Sequence, residues 1–226
     1  MTKKAVLFDL DGTLLHTVPD LAAAVNAMLA DLGKPVLPEE TVAVYVGKGA
    51  ENLVNRSLTG SMTEKAPPEL YAQAMANWQG HYTHINGNHS VFYSGVREGL
   101  DLLKNAGYKL AVVTNKPERF TKPLLERTGI AHYFEVVVGG DTCPVKKPDP
   151  MPVTHACKLL GVEPSQALMI GDSVNDALAA NAAGVECWLL PYGYNEGRSV
   201  HDTPCDGIVS TIEKAAQRLL GTRVPQ

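Results

Sequence analysis

The sequence has no long apolar run and few cysteines, and these shortages exclude several classes of protein. Its apolar stretches are short and broken, as in residues 21–30, where Asn26 intervenes, whereas a membrane-spanning helix needs about 20 apolar residues. The apolar run at residues 5–8 is ended by Asp9, so we expect no signal peptide. The four cysteines form no Cys-x-x-Cys pair and are too few for a disulfide framework, which favours a reducing, cytoplasmic location.

The chain also carries little excess charge. Lys and Arg total 20 and Asp and Glu total 24 among 226 residues, for a formal net charge of −4. A weakly acidic chain is unsuited to non-specific binding of nucleic acid or of an anionic membrane, so we expect neither as a partner. Hydrophobic residues make up 45% and charged residues 19%, a globular composition that is able to bury a core.

Short apolar runs alternate with amphipathic stretches along most of the chain. This alternation predicts an α/β fold, a doubly wound, Rossmann-like parallel sheet with helices on its faces. The predicted strands lie at residues 4–10, 109–114, 136–139, 167–171, 186–190 and 207–210. The helices predicted between them lie at residues 96–106, 116–128, 151–160 and 175–183.

One interval breaks this alternation. It runs over residues 11–108, whereas a whole βαβ unit takes only about 30 residues. Apolar residues at helical spacing predict four helices within it, at residues 19–32, 39–46, 50–58 and 68–85. We therefore predict two parts: an α/β core made of residues 1–15 and 88–226, and a small helical cap made of residues 16–87.

Acidic residues follow two of the predicted strands. Asp9 and Asp11 end the first strand, where residues two apart point the same way, and Gly12 lets the chain turn beside an anion. Asp172 and Asp176 follow the fourth strand at the start of a helix. Carboxylates that converge on one sheet edge repel one another unless a cation such as Mg²⁺ lies among them. The pattern thus indicates a Mg²⁺ site.

Two further motifs supply hydroxyl, amide and ammonium groups. Thr114 and Asn115 follow the second strand and open a helix, which suits contact with a phosphate. Lys146 and Lys147 lie in a loop that prolines stiffen. Taken alone, each of the four motifs is also explained by a helix cap or a solvated loop. Together they suit transfer of a phosphoryl group to a carboxylate, because cations and amide dipoles offset the repulsion between the two anions.

The ordered set DLDGT (9–13), Thr114, KPDP (147–150) and GDSVND (171–176) resembles the haloacid dehalogenase-like phosphatases. The resemblance covers nearly the whole chain, and the helical insert after the first motif looks like a type 1 cap of that family. The stretches LLHTVPDL, VGKGAENLVNRSL, TNKPERF and GDSVNDALAANAAG are most similar to family members that hydrolyse 2-phosphoglycolate. The resemblance implies a Mg²⁺-dependent phosphatase for a small phosphate monoester.

The resemblance also implies roles for the acidic motif residues. Asp9 would be the nucleophile that forms an aspartyl-phosphate. Asp11 would be the general acid and then the base, with its backbone carbonyl on Mg²⁺. Asp172 would complete the metal ligands with Asp9 and Asp11. Asp176 and Ser173 would not bind the metal themselves but would hold its ligands in position.

The remaining roles concern the substrate. Thr114, Asn115 and Lys147 would bind the phosphate, and Lys147, which directly precedes proline, fits the catalytic lysine better than Lys146. In the cap, Lys48 or Arg56 would contact a substrate carboxylate. His16 departs from the family pattern, because relatives commonly carry an acid there.

Alternative functions remain open at this point. A phosphatase or phosphomutase for sugar phosphates would share the chemistry and differ in the cap. A phospho-accepting receiver domain also combines acids, a hydroxyl and a lysine at a sheet edge, but it is about half as long and lacks the second acid of the first motif. A non-enzymatic binding module on the same fold is the third alternative. The chain is expected to be a monomer or a homodimer.

Overall fold

The structure, a computed structural model, describes residues 2–221; the last five residues of the predicted core segment lie outside this range. In chain order the helices and strands are β1 (Ala5–Phe8), β2 (Leu15–His16), α1 (Val18–Asp31), α2 (Glu39–Tyr45), α3 (Ala50–Thr59), α4 (Pro68–Ile85), β3 (Val91–Phe92), α5 (Val96–Asn105), β4 (Lys109–Val113), α6 (Glu118–Arg127), β5 (Val136–Val138), α7 (Met151–Leu160), β6 (Ala167–Gly171), α8 (Val174–Ala183), β7 (Glu186–Leu189), β8 (Gly207–Ile208) and α9 (Ile212–Leu219).

A six-stranded parallel sheet forms the centre of the molecule, in the order β5-β4-β1-β6-β7-β8. Val6 of β1 lies opposite Leu110 of β4 on one side and Leu168 of β6 on the other. Successive side chains of β1 enter two apolar clusters, one completed by α5, α6 and α9 and the other by α7 and α8. A parallel sheet buried on both faces in this way confirms the predicted α/β fold.

The segment between β1 and β4 contains α1 to α4, which pack on one another. Their shared apolar cluster includes Val25, Met28, Trp78 and Tyr82, and Phe120 of α6 also packs into it. The chain leaves and re-enters the sheet layer through β2 and β3, which pair antiparallel. These helices lie in the segment that the sequence assigns to a cap. Throughout residues 2–221, every helix falls short of the length and apolarity needed to cross a bilayer.

Gly99 lies where α5 packs against α9. A Cβ at this position would lie 2.6 Å from the carbonyl carbon of Ile212 and 2.7 Å from the nitrogen of Glu213. Because both are backbone atoms, we expect Gly99→Ala to lower the free energy of unfolding by about 2 kcal/mol. Gly80 of α4 is the matched control, since a Cβ there would meet nothing within 4 Å. Gly80→Ala should raise the free energy of unfolding by about 0.5–1 kcal/mol. Urea denaturation measures both, and a loss of equal size in the two variants would contradict the prediction.

Candidate active site

Polar side chains follow three neighbouring strands and meet at the carboxyl edge of the sheet. Asp9 follows β1, Thr114 follows β4 and Asp172 follows β6, and β4 and β6 lie on either side of β1. Helices on opposite faces of the sheet follow β4 and β6, which opens a crevice at this edge. The sheet therefore brings together three of the four motifs that the sequence analysis singled out.

Lys147 supplies the fourth motif and pairs with two carboxylates in the buried part of the site. Its Nζ lies 3.1 Å from Oδ1 of Asp9 and 2.6 Å from Oδ1 of Asp176, and it donates to the carbonyl of Val113 at 2.6 Å. Burial disfavours the ammonium, but Asp176 and Asp9 outweigh it and hold the pKa of Lys147 above its usual value. The neighbouring Lys146 instead pairs with Glu51 of α3 at 2.5 Å.

Asp9 and Asp172 are carboxylates with too little positive charge around them. Burial raises the pKa of Asp9 to about 6; Lys147 opposes this shift, and Asp176 and Asp11 add to it. Burial, together with the neighbouring carboxylates of Asp176 and Asp9, also raises the pKa of Asp172 well above its usual value. The site is therefore electrostatically incomplete when it contains only protein groups.

Asp172 is held in place by contacts that sequence reasoning missed. Its Oδ1 accepts a hydrogen bond from the hydroxyl of Thr13 at 2.6 Å, and its Oδ2 accepts one from the backbone N–H of Tyr194 at 2.5 Å. A Cβ at Gly12, whose φ is +89°, or at Gly193 would lie 2.3 Å from Oδ2 of Asp172. Two glycines therefore form a cradle around this carboxylate. Thr13 and Gly12 belong to a recognised motif, whereas nothing in the sequence indicates the contact from Tyr194.

These groups fit a divalent metal ion such as Mg²⁺. Carboxylate oxygens of Asp9, Asp172 and Asp176 all lie within 4.8 Å of one another, and oxygen is the ligand that Mg²⁺ prefers. Asp11 adds a fourth carboxylate, and Lys147 and Lys116 are the paired cations, which leaves two negative charges in excess (four minus two). Asp176 is itself engaged by Lys147 and by Ser173, whose hydroxyl donates to it at 2.7 Å.

Asn115 connects three parts of the site. Its Nδ2 donates to the carbonyl of Lys147 at 2.9 Å and to the carbonyl of Gly47 at 3.1 Å, while its Oδ1 is buried without a partner. The Thr114 hydroxyl beside it is almost fully buried and accepts from the backbone N–H of Lys116 at 3.2 Å. The contact with Gly47 places Asn115 between the sheet edge and the loop that precedes α3.

Lys48 and Arg56, the two cap cations of the sequence analysis, converge elsewhere. Arg56 lies 2.6 Å from Oε1 of Glu196, and Lys48 lies 3.6 Å from the same oxygen. Arg56 is buried and also donates to the carbonyl of Tyr45 at 2.9 Å. The structure thus brings both cations to Glu196 and does not place either of them in the cavity beside Asp9.

That cavity lies between the sheet edge and the helices α1 to α4. Its volume is about 40 Å³, enough for about three water molecules. The sheet side contributes polar groups, and the helical side contributes mainly apolar ones. The lining residues are Asp9, Asp11, Thr114, Asn115, Lys116 and Pro117 from the sheet side, and Leu21, Val46, Gly47, Gly49, Ala50, Leu53 and Trp78 from the helical segment.

The cavity contains one cation to which the sequence analysis gave no role. Lys116 lies 3.1 Å from Oδ1 of Asp11 and is 6% exposed. It directly follows Thr114 and Asn115, so the motif contained it. Spacing alone does not show which way its long side chain turns, because α4 supplies one of its partners.

Acidic residues at the carboxyl edge of a parallel sheet, a buried lysine that pairs with them and a helical insertion after the first strand together define a known class of protein. Residues 6–190 match the family model of the haloacid dehalogenase-like hydrolases, and the chain belongs to that family.

Its similarity to particular members extends over almost all of its length. It is 49% identical over 213 residues to a phosphoglycolate phosphatase from Thiobacillus denitrificans, covering 94% of each chain. It is 50% identical over 214 residues to one from Nitrosospira multiformis, covering 95% of this chain and 94% of the relative. The crystal structure of a predicted phosphoglycolate phosphatase from Haemophilus somnus is 35% identical to this chain, with a TM-score of 0.90 and 99% of each chain covered. The family resemblance is confirmed, and the protein is a phosphoric monoester hydrolase of the phosphoglycolate phosphatase-like kind.

Proposed function

We propose that the protein hydrolyses 2-phosphoglycolate to glycolate and phosphate in a Mg²⁺-dependent reaction through an aspartyl-phosphate on Asp9. The observation that carries the proposal is the convergence of Asp9, Lys147 and Asp172 beneath a small cavity. The relatives at 49% and 50% identity carry the name of this activity. The four cysteines are free thiols, which fits the expected cytoplasmic location.

In the first half of the reaction, Asp9 is the nucleophile. Its carboxylate forms a bond to phosphorus while the bond from phosphorus to the ester oxygen breaks, and Asp11 gives its proton to that oxygen. Lys147 balances the negative charge that gathers around the transferring group. Mg²⁺ would be held by Asp9, Asp172 and the backbone carbonyl of Asp11, and when bound it would offset the charge on the phosphoryl oxygens.

In the second half, water hydrolyses the aspartyl-phosphate. Asp11 takes a proton from the water, a bond forms between the water oxygen and phosphorus, and the bond to Asp9 breaks to release phosphate. Thr114 and Asn115 hold the phosphoryl group in both halves. Asp176 accepts hydrogen bonds from Lys147 and from the hydroxyl of Ser173. These contacts keep Lys147 and the loop after β6 in place.

The helical segment 16–87 acts as the cap and restricts the size of the substrate. Four of its apolar residues, Leu21, Val46, Leu53 and Trp78, line the cavity over Asp9, where closure of the cap would exclude bulk water. We expect the residues that line the cavity from the cap to decide which phosphate esters enter. The preference for 2-phosphoglycolate over a sugar phosphate is supported by the relatives that carry this name.

Phosphate release from a panel of monoesters tests the proposal. With Mg²⁺ present, we expect kcat/KM for 2-phosphoglycolate to exceed the values for sugar and nucleotide monophosphates by at least about tenfold. EDTA should abolish release from every member. Comparable turnover of the sugar phosphates would support the phosphatase reaction but would reject 2-phosphoglycolate as the preferred substrate. A phosphoaspartate that persists without turnover would favour a phospho-accepting module.

A further inference from the structure

Lys116 is a buried cation at the cavity that the phosphoryl chemistry above does not use. Its Nζ lies 3.1 Å from Oδ1 of Asp11, 2.5 Å from the Tyr82 hydroxyl and 4.6 Å from the centre of the Tyr82 ring. Lys147, by contrast, pairs with Asp9 and Asp176. The two lysines therefore serve different acids, and of the two only Lys116 lines the cavity.

The surroundings of Lys116 make its charge available to a bound anion. Tyr82 stacks on Trp78 with ring centres 4.8 Å apart, and Phe120 packs edge-on against Tyr82 at 5.1 Å. These rings keep water from the ammonium, and a charge pair is stronger in such a setting than in bulk solvent. Burial raises the pKa of Tyr82 well above its usual value, so its hydroxyl stays neutral and does not itself offset the lysine charge. The ion pair that the structure gives Lys116 is with Asp11.

The covalent geometry of 2-phosphoglycolate links Asp11 to the position of a carboxylate. In this substrate a single methylene separates the ester oxygen from the carboxyl carbon. If Asp11 delivers its proton to the ester oxygen, the substrate carboxylate must lie next to Asp11 on the cavity side. Lys116 is the cation in that position.

We propose that Lys116 selects the substrate by binding a carboxylate one carbon away from the ester oxygen, so that the substrate class is phosphate esters of short 2-hydroxy acids. This inference rests on the proposed function. On binding, the substrate carboxylate replaces Asp11 as the partner of Lys116, and Asp11 is released toward the ester oxygen. Binding of a phosphate ester without a carboxylate breaks the ion pair between Lys116 and Asp11, and the ester provides no anion to replace Asp11 beside the lysine.

The two cap cations are less suited to this role. Lys48 and Arg56 already share the carboxylate of Glu196, and a buried arginine that loses its partner costs free energy. Neither of them lines the cavity. The assignment to Lys116 therefore competes directly with the assignment of the substrate carboxylate to Lys48 or Arg56.

The experiment compares substrates and inhibitors that differ only in the carboxylate. The substrates are 2-phosphoglycolate and ethyl phosphate, and the inhibitors are 3-phosphonopropionate and propylphosphonate, all measured with saturating Mg²⁺. The variants are Lys116→Met, Lys116→Gln and Lys48→Met. Lys122→Met is the matched control, because Lys122 is an exposed lysine of α6 whose removal changes the net charge equally.

In both Lys116 variants we expect the ratio of kcat/KM for 2-phosphoglycolate to that for ethyl phosphate to fall by at least about 30-fold. The preference for 3-phosphonopropionate over propylphosphonate should fall similarly, and this binding readout does not depend on turnover. Lys122→Met should keep both preferences. The glutamine variant keeps a polar side chain and serves if the methionine variant does not fold.

Four other outcomes are distinguishable. A wild-type enzyme without preference for 2-phosphoglycolate would reject the proposed function itself. A wild-type preference that survives in both Lys116 variants would overturn the role of Lys116 and leave the proposed function standing. Loss of the preference in Lys48→Met alone would assign the carboxylate to the cap. Equal loss of activity on both substrates in the Lys116 variants, with inhibitor preference kept, would reduce Lys116 to a residue that positions Asp11.

Discussion

Exchange of Asp9 for Asn is expected to lower kcat for phosphate release by at least about 10⁴-fold, because the variant lacks the proposed nucleophile. The neighbouring acids cannot substitute for it. Asp176 is engaged by Lys147 and Ser173, and Asp172 by Thr13 and Tyr194. Phosphate release and the trapping of labelled phosphate on the protein are the two measurements, and both should be lost together.

The same exchange should stabilise the metal-free protein. Burial raises the pKa of Asp9 to about 6, above the usual value of about 4 for an unfolded chain. The folded state therefore binds more protons than the unfolded state between these values, and stability falls as pH rises through that window. At pH 7 the charge on Asp9 opposes folding, and Asn removes it. We expect a gain of about 2 kcal/mol, which raises Tm by about 4 °C.

Thermal unfolding in EDTA at pH 7 and pH 4.5 tests this effect. The gain from Asp9→Asn should be large at pH 7 and small at pH 4.5, where Asp9 is already protonated in the folded protein. Asp202→Asn, at an exposed aspartate, is the control and should change Tm little at either pH. An Asp9→Asn variant less stable than wild type at pH 7 would show that the pair with Lys147 outweighs the burial of Asp9.

Lys147→Met is expected to have the second large effect, on both activity and stability. It leaves the buried carboxylates of Asp9 and Asp176 without their shared ammonium. We expect kcat to fall by about 10³-fold, and the free energy of unfolding of the metal-free protein at pH 7 to fall by about 3 kcal/mol. Mg²⁺ should restore part of the stability, because a divalent cation supplies charge to the same acids.

The adjacent lysine provides a matched control for this variant. Lys146 pairs with Glu51 across the boundary of the helical segment, and its side chain is partly exposed. Lys146→Met should cost at most about 1 kcal/mol of stability. Urea denaturation with and without Mg²⁺, together with phosphate release, separates the two variants. Equal losses in both would mean that the loop, rather than the charge of Lys147, is what matters.

The fold was predictable where the local signals were strong. The predicted helices at 68–85 and 151–160 have the same bounds in the structure, and proline marks the start of both. Each of the six strands of the large sheet overlaps its predicted apolar run. The strands β2 and β3 were missed because two residues show no periodicity. The short helix α9 was missed as well, although Thr211 caps its start.

The site was predictable as far as the sheet positions it. Residues directly after parallel strands lie at one edge of the sheet, so a shared edge for Asp9, Thr114 and Asp172 was predictable. The structure adds that their three strands are neighbours. Where long side chains turn depends on what the helical segment offers them. Lys116 turns toward Tyr82, and Lys48 turns toward Glu196, which lies far along the chain. Neither contact has a signal in the sequence.

The antiparallel pair of β2 and β3 has a consequence for how such enzymes diversify. Leu15 faces Phe92 and His16 faces Val91, so both ends of the helical insertion lie one strand spacing apart, about 5 Å. An inserted segment of any length or architecture fits here if its two ends are neighbours, and the register of β1 with β4 and β6 is untouched. The junction therefore works as a grafting point. Exchange of the insertion there would change which molecules reach the sheet edge while leaving the reaction that occurs at that edge the same.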